Sequence, residues 1–92
     1  MEIILHKKFQ KELASLPKAH QERIRAVYFK LKNAGNLEDS GVDYKKLRQN
    51  YGSSYYRIRV GEYRIGVQYI HPKMIIISVL KRGDFYKRFP PQ

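Results

Sequence analysis

The sequence contains no cysteine, which excludes disulfide bonds and metal sites built from thiolates. It also lacks any apolar run approaching the roughly 20 residues that a membrane-spanning helix needs. The N-terminal apolar stretch in residues 1–6 is too short for a signal peptide, so we expect a cytoplasmic protein. The 92 residues predict a single domain, 1–92, whose modest core leaves room only for an open groove as an active site.

Acidic residues are scarce, above all in the second half of the chain. The chain has nineteen Lys and Arg residues but only eight Asp and Glu residues, which gives a net charge of +11. Residues 44–92 carry a net +9, whereas residues 1–43 carry only +2. Such a basic half attracts polyanions, namely nucleic acid, an anionic membrane or an acidic protein. The alternative is a solvated, solubilising face, but here the basic residues alternate with aromatic ones on predicted strands.

Motifs of several enzyme classes are missing as well. The sequence has no glycine-rich phosphate loop and no Ser–His–Asp or Cys–His set. His6, His20 and His71 lack the spacing of metal ligands and are expected to be surface residues. If the protein cleaves RNA, it therefore does so without metal or cofactor, through cationic groups and the 2′-hydroxyl of the substrate.

The first half of the chain shows helical periodicity. Residues 2–5 suit a short strand, and the spacing of Phe9, Leu13 and Leu16 predicts a helix within residues 6–16. A second apolar stripe follows and ends before Gly35, which sits where a helix-terminating glycine belongs. These two helices form a hairpin that can cover one face of a sheet, and residues 36–43 form a polar connection.

From Ser54 onward the periodicity changes to two, which indicates strands. Gly61 and Glu62 suit the turn of a hairpin. Residues 74–80, which are almost all apolar, are predicted to form a further strand, and residues 81–92 are predicted to form a basic tail. The element order is β-α-α-β-β-β. The predicted fold class is α+β, with a two-helix hairpin packed on an antiparallel sheet.

The predicted hairpin concentrates positive charge on one face. Arg59 lies opposite Arg64, and Arg57 lies opposite Gly66 on the same face. Like charges on neighbouring strands destabilise a sheet, whereas arginine binds phosphate through paired hydrogen bonds. Gly66 would leave space for a substrate backbone, and Tyr55 could stack on a base. Alternatively, carboxylates from elsewhere neutralise these arginines, although the second half holds only two acidic residues.

The segments that carry these residues resemble one family along nearly the whole chain. Residues 55–69 read YYRIRVGEYRIGVQY, residues 77–86 read ISVLKRGDFY, and residues 15–20 read SLPKAH. Together, in this order, they resemble the RelE/ParE superfamily of type II toxin–antitoxin toxins, and specifically its RelE-like branch. The resemblance implies a ribosome-dependent endoribonuclease that enters the ribosomal A site and cuts messenger RNA.

The resemblance also assigns roles to individual residues. The residues that it gives catalytic roles are Arg59, Arg64, Arg82 and Tyr86, and Tyr86 is expected to stack on the substrate base. Arg57 and Arg59 match the two basic residues that RelE-like toxins carry on the strand before the turn. The residues expected to bind RNA are Arg57, Tyr55, Lys45, Lys46, Arg48 and Lys81. The implied partners are an acidic RelB-like antitoxin, the ribosome with its messenger RNA, and promoter DNA only through the antitoxin complex, with no membrane.

One position departs from the RelE-like pattern. Arg59 stands where these enzymes often carry a lysine that is proposed as general base, and a guanidinium cannot readily accept a proton at neutral pH. The 2′-hydroxyl is then activated by another group, or cleavage depends mainly on electrostatic stabilisation of the phosphorane. Two further readings stay open: a gyrase-poisoning ParE-like toxin, and a non-catalytic basic RNA-binding module.

Overall fold

The computed structural model describes residues 1–47 and 54–89. None of the helices in these residues is long and apolar enough to cross a membrane. The elements in chain order are β1 (Glu2–Leu5), α1 (Lys7–Ala14), α2 (Lys18–Asn33), β2 (Asp43–Lys46), β3 (Tyr55–Val60), β4 (Tyr63–Ile70), β5 (Lys73–Lys81) and α3 (Arg82–Arg88).

The five strands form one mixed sheet in the order β1-β5-β4-β3-β2. Pairing is antiparallel from β2 through β5, whereas β1 runs parallel to β5. The predicted α+β class and the antiparallel pairing of β3, β4 and β5 are confirmed. The structure adds two elements that the sequence did not indicate: β2 begins at the end of the expected connection, and α3 forms within the expected basic tail.

Local capping explains where the first two helices begin and end. His6 caps α1, because its Nδ1 accepts a hydrogen bond from the backbone N–H of Lys8 at 3.1 Å. Pro17 precedes the first turn of α2, where a missing N–H costs nothing. The prediction that α2 ends before Gly35 is confirmed. The helix ends at Asn33, and Ala34 leaves it with an extended backbone, so no positive φ is needed.

The hairpin between β3 and β4 has the predicted register. Val60 pairs with Tyr63, and Gly61 adopts φ +58°, a conformation that favours glycine at a tight turn. The guanidinium of Arg23, on α2, lies against the same turn: a methyl group on Gly61 would lie 2.9 Å from its Nη1. The turn is therefore constrained both by its own backbone and by a helix packed over it.

The main core lies between the sheet and the first two helices. The alternate side chains of β3 and β4 that include Ile58, Val60 and Ile65 point into it and pack with Ile24 and Leu31 of α2. Burying side chains of this size contributes about 1.5–3 kcal/mol each. Because successive residues of a strand point to opposite faces, this packing turns the arginines of β3 and β4 away from α1 and α2.

A carboxylate joins α1 to the central strand. Glu12 Oε1 accepts hydrogen bonds from Ser78 Oγ at 2.9 Å and from the backbone N–H of Val79 at 3.2 Å. These residues lie where the register of β4 and β5 shifts, between Gly66 and Val67. The contact satisfies a backbone donor next to the irregularity and anchors the helix to the sheet.

Candidate functional site

The sheet side that faces away from α1 and α2 carries the arginines that the sequence placed together. Arg59 pairs with Arg64 across β3 and β4, and Arg57 pairs with Gly66, in the predicted register. Tyr55 continues the same alternation along β3 and pairs with Gln68. We call this surface, comprising Tyr55, Arg57, Arg59 and Arg64, the arginine face.

The C-terminal helix packs onto this same side of the sheet. Phe85 and Phe89, one helical turn apart, are buried and stack with their ring centroids 5.0 Å apart. The Phe89 ring covers Gly66, since a methyl group there would lie 2.5 Å from it, and it meets Tyr55 edge-on at 5.6 Å. The space at Gly66 was expected to admit a substrate backbone. That expectation is wrong, because the space accommodates Phe89.

The same helix carries two further predicted site residues, Arg82 and Tyr86. The backbone N–H of Arg82 donates to the carbonyl of Glu62 at 3.0 Å, so α3 begins beside the hairpin turn, near Arg59 and Arg64. Arg82 is exposed, and Tyr86, one turn later, has 53% of its surface exposed while its ring rests edge-on against Phe85. Burial of the two phenylalanines thus leaves Arg82 and Tyr86 available to a ligand.

The three arginines of the sheet differ in their surroundings. Arg59 is exposed, whereas Arg64 is 6% exposed, and its Nη1 donates to the carbonyls of Gly61 at 2.8 Å and Tyr63 at 3.0 Å. The Nε atoms of Arg57 and Arg64 are buried and have no hydrogen-bond partner among the described residues. A buried donor without a partner is costly, and an anion that approached these guanidinium groups would offset that cost.

The histidines have structural contacts rather than a shared site. His6 caps α1, the His20 ring lies 4.9 Å from that of Tyr63, and His71 Nδ1 lies 3.0 Å from the hydroxyl of Tyr69. In residues 1–47 and 54–89, no group of three His, Asp or Glu side chains is arranged to hold a metal ion.

Comparison with known proteins identifies the family. No protein-family model matches the chain. Toxin RelE3 of Methanocaldococcus jannaschii is 36% identical to it over 90 residues, which cover 98% of this chain and 100% of that protein. The chain belongs to the RelE family of toxins.

Solved structures agree with this assignment over more than nine-tenths of the chain. A chain of the RelB–RelE antitoxin–toxin complex from Methanococcus jannaschii is 33% identical to this RelE-family toxin. It superposes with a TM-score of 0.76 over 95% of this chain and 99% of its own. A chain of the archaeal RelE–RelB complex from Pyrococcus horikoshii is 28% identical, with a TM-score of 0.69 over 91% of this chain and 97% of its own.

The remaining lysines predicted in this RelE-family toxin are distributed over both sides of the sheet. Lys45 is exposed and pairs with Arg57, so it belongs to the arginine side. Lys46 pairs with Tyr56 and Lys81 pairs with Tyr63, and both tyrosines pack with the main core. These two lysines therefore project from the opposite side, and the sheet does not bring them to the arginine face. Arg48 lies outside the described residues.

One acidic residue on the arginine side of the sheet escaped the sequence analysis. Asp43 pairs with Arg59 in the register of β2 and β3, and its Oδ1 lies 3.3 Å from Nη1 of Arg57. The alternative that a carboxylate from elsewhere neutralises an arginine thus holds for Arg57. In residues 1–47 and 54–89, the structure shows no such ion pair for Arg59 or Arg64. The only sequence signal was a short alternation, with Tyr44 packing on the core between exposed neighbours.

Proposed function

We propose that this RelE-family toxin is an endoribonuclease that cuts messenger RNA in the ribosomal A site and thereby blocks translation. The observation that carries the proposal is the pairing of Arg59 with Arg64, next to the hairpin turn at which Arg82 begins α3. Facing arginines are unfavourable for the sheet and favourable for a bound polyanion. A phosphodiester is the polyanion that such a cluster can both bind and activate.

The proposed chemistry uses the substrate's own nucleophile. The 2′-oxygen forms a bond to phosphorus, the bond from phosphorus to the 5′-oxygen breaks, and the products are a 2′,3′-cyclic phosphate and a 5′-hydroxyl. Negative charge accumulates on the phosphate oxygens and on the leaving oxygen. Arg82, exposed at the start of α3, supplies the cation for that charge, and a preorganised group of this kind contributes about 10²–10³ in rate. The scheme requires no metal or cofactor.

Residues around the reacting phosphate hold the rest of the substrate in this proposal. Arg57 and Lys45, neighbours on the arginine side of the sheet, bind adjacent phosphates. Tyr86 stacks on the base beside the scissile phosphate, because its ring is exposed on the same helix as Arg82. Tyr55, whose ring already contacts Phe89, lines the margin of the face. The positive charges of Lys46, Arg48 and Lys81 attract ribosomal RNA over a wider surface.

An acidic antitoxin completes the proposal. The archaeal relatives of known structure are RelE chains in complexes with RelB. We infer that a RelB-like protein, rich in carboxylates, covers the arginine face and so blocks access to messenger RNA. In this proposal the toxin contacts promoter DNA only through the toxin–antitoxin complex. It acts in the cytoplasm, where the ribosomes are, and has no membrane partner.

The test is cleavage of a defined messenger RNA on programmed ribosomes, with the ends of the products mapped. Cleavage at the A-site codon that leaves a cyclic phosphate and a 5′-hydroxyl is the expected result. Intact messenger RNA, with DNA breaks accumulating on purified gyrase instead, would point to the gyrase-poisoning alternative. Tight RNA binding without cleavage of either nucleic acid would leave a non-catalytic binding module.

A further inference from the structure

We propose that Asp43 is the general base of this toxin and removes the proton from the attacking 2′-hydroxyl, an inference that rests on the proposed ribonuclease activity. The carboxylate lies on the edge strand β2, directly opposite Arg59 in the register of the sheet. Its Oδ1 is 3.3 Å from Nη1 of Arg57, and 59% of its side chain is exposed, so a substrate can reach it.

Asp43 is placed at one end of a row that crosses the arginine side of the sheet. The residues in register from β2 to β4 are Asp43, Arg59 and Arg64, and Arg82 lies beyond them at the hairpin turn. Neighbouring strands are about 4.8 Å apart, which places Asp43 and Arg64 on either side of Arg59, roughly 10 Å from each other. A phosphate bound at Arg59 thus has a carboxylate on one side and cations on the other.

This order matches what phosphoryl chemistry demands of its catalytic groups. The attacking and leaving oxygens lie roughly in line on opposite sides of phosphorus, so the proton acceptor and the group assisting departure must also be on opposite sides. Asp43 occupies the acceptor end and Arg82 the departure end. Two other acidic residues, Glu62 in the turn and Asp84 in α3, belong to the elements at the Arg82 end, where a proton must be supplied.

The arginines cannot take this role themselves. A guanidinium has no acceptor and stays protonated in proteins, so Arg57, Arg59 and Arg64 can bind phosphate but cannot remove a proton. A carboxylate is ionised at neutral pH and accepts hydrogen bonds at both oxygens. The ion pair with Arg57 holds Asp43 over the face until an incoming phosphate competes for that guanidinium.

The step balances with the groups present. The 2′-hydroxyl transfers its proton to Asp43 as the bond from the 2′-oxygen to phosphorus forms. The bond from phosphorus to the 5′-oxygen breaks, and that oxygen takes a proton from a water molecule while the cation of Arg82 stabilises its negative charge. Asp43 then releases its proton to solvent, where it neutralises the hydroxide left by that water, and both side chains are in their starting states.

The test is single-turnover cleavage on programmed ribosomes by Asp43→Asn, with ribosome binding measured separately. We expect the cleavage rate to fall by about 10²–10⁴, the usual contribution of a general base, while affinity stays within a few-fold. Asp43→Glu should recover a large part of the rate. The matched control is Glu38→Gln, which removes one exposed negative charge from the loop after α2 and should cleave at the unsubstituted rate.

The pH dependence separates a base from a merely structural carboxylate. The rate of the unsubstituted toxin should change little with pH around neutrality, because a carboxylate base makes attack independent of hydroxide. Without the carboxylate, solvent hydroxide must remove the proton from the 2′-hydroxyl. The cleavage rate of Asp43→Asn should therefore rise about tenfold per pH unit. An exposed ion pair contributes little to stability, so the melting temperature of Asp43→Asn should stay within a few degrees of the unsubstituted value.

The outcomes distinguish this inference from the function on which it rests. If the unsubstituted toxin cleaves and Asp43→Asn cleaves equally fast with the same pH profile, Asp43 is not the base, while the ribonuclease proposal stands. A loss confined to ribosome binding, with the chemical step unchanged, would also overturn the inference. If the unsubstituted toxin leaves messenger RNA intact, both proposals fail together.

Discussion

Arg82 combines an exposed guanidinium with a backbone that is hydrogen-bonded to the hairpin turn. Arg82→Ala keeps the backbone N–H that donates to the carbonyl of Glu62 and removes the guanidinium with the chain that carries it. We therefore expect single-turnover cleavage on ribosomes to fall by about 10²–10³ while folding and ribosome binding stay nearly intact. Arg88→Ala, which removes an exposed arginine from the same helix, is the matched control. Full activity in Arg82→Ala would exclude that residue from the chemistry.

Tyr86 allows stacking to be separated from proton transfer. Its ring is half-exposed and is supported from one side by Phe85, as suits a platform for a base. If stacking is its role, Tyr86→Phe should keep most of the cleavage rate, and Tyr86→Ala should lose the stacking energy of about 1–3 kcal/mol. Equal losses in the two variants would instead show that the hydroxyl takes part. The measurement is the cleavage rate at saturating toxin.

Residue positions were predictable where a local rule determined them. The alternation on either side of Gly61 was enough to place Arg57, Arg59 and Arg64 on one face, because the side-chain period of a strand is two. The partners of those residues were not predictable. The ion pair of Arg57 with Asp43 and the burial of Arg64 depend on elements that meet only in the folded chain.

At the scale of elements, α3 depends on a glycine of the sheet. Gly66→Ala would place a methyl group 2.5 Å from the Phe89 ring, too close for both to keep their positions. We expect the C-terminal end of α3 to shift and the free energy of unfolding to fall by about 1–3 kcal/mol, as in other overpacked sites. Denaturant titration measures the change, and hydrogen exchange locates it.

Gly35→Ala is the control for that substitution, because no atom lies within 4 Å of the added carbon and the backbone needs no positive φ. Gly35→Ala should leave the free energy of unfolding unchanged or slightly higher, since alanine restricts the conformations of the unfolded chain. Equal stability of the two alanine variants would show that Phe89 does not need the space at Gly66.

The two elements that the sequence did not predict, β2 and α3, are both short. An isolated helix of seven residues is unstable in water, so α3 depends on burial of Phe85 and Phe89 against the sheet. The four-residue strand β2 likewise depends on pairing with β3. The strands from β3 to β5 and the first two helices carry long periodic patterns of their own, and these were predicted.

For the whole molecule, the uneven charge governs association with an acidic partner. The rate constant for binding a RelB-like antitoxin should fall about tenfold or more between low and high salt. Lys45→Glu, on the arginine side, should slow association more than Lys18→Glu, which reverses an exposed charge on α2. Stopped-flow traces give the rates. Rates that do not change with salt would contradict electrostatic steering.

The position of β5 in the sheet also governs when the fold can form during synthesis. β5 lies between β1 and β4, so β1 has no strand to pair with until β5 has been synthesised. Ile4, for example, pairs with Ile75. Pairing between such distant segments is slow, because the chain between them loses conformational entropy on closing into a loop before the new contacts can compensate. Arg82 and Tyr86 follow β5 and are made later still. A nascent chain therefore cannot assemble the arginine face with α3 over it until β5 and α3 have both been made.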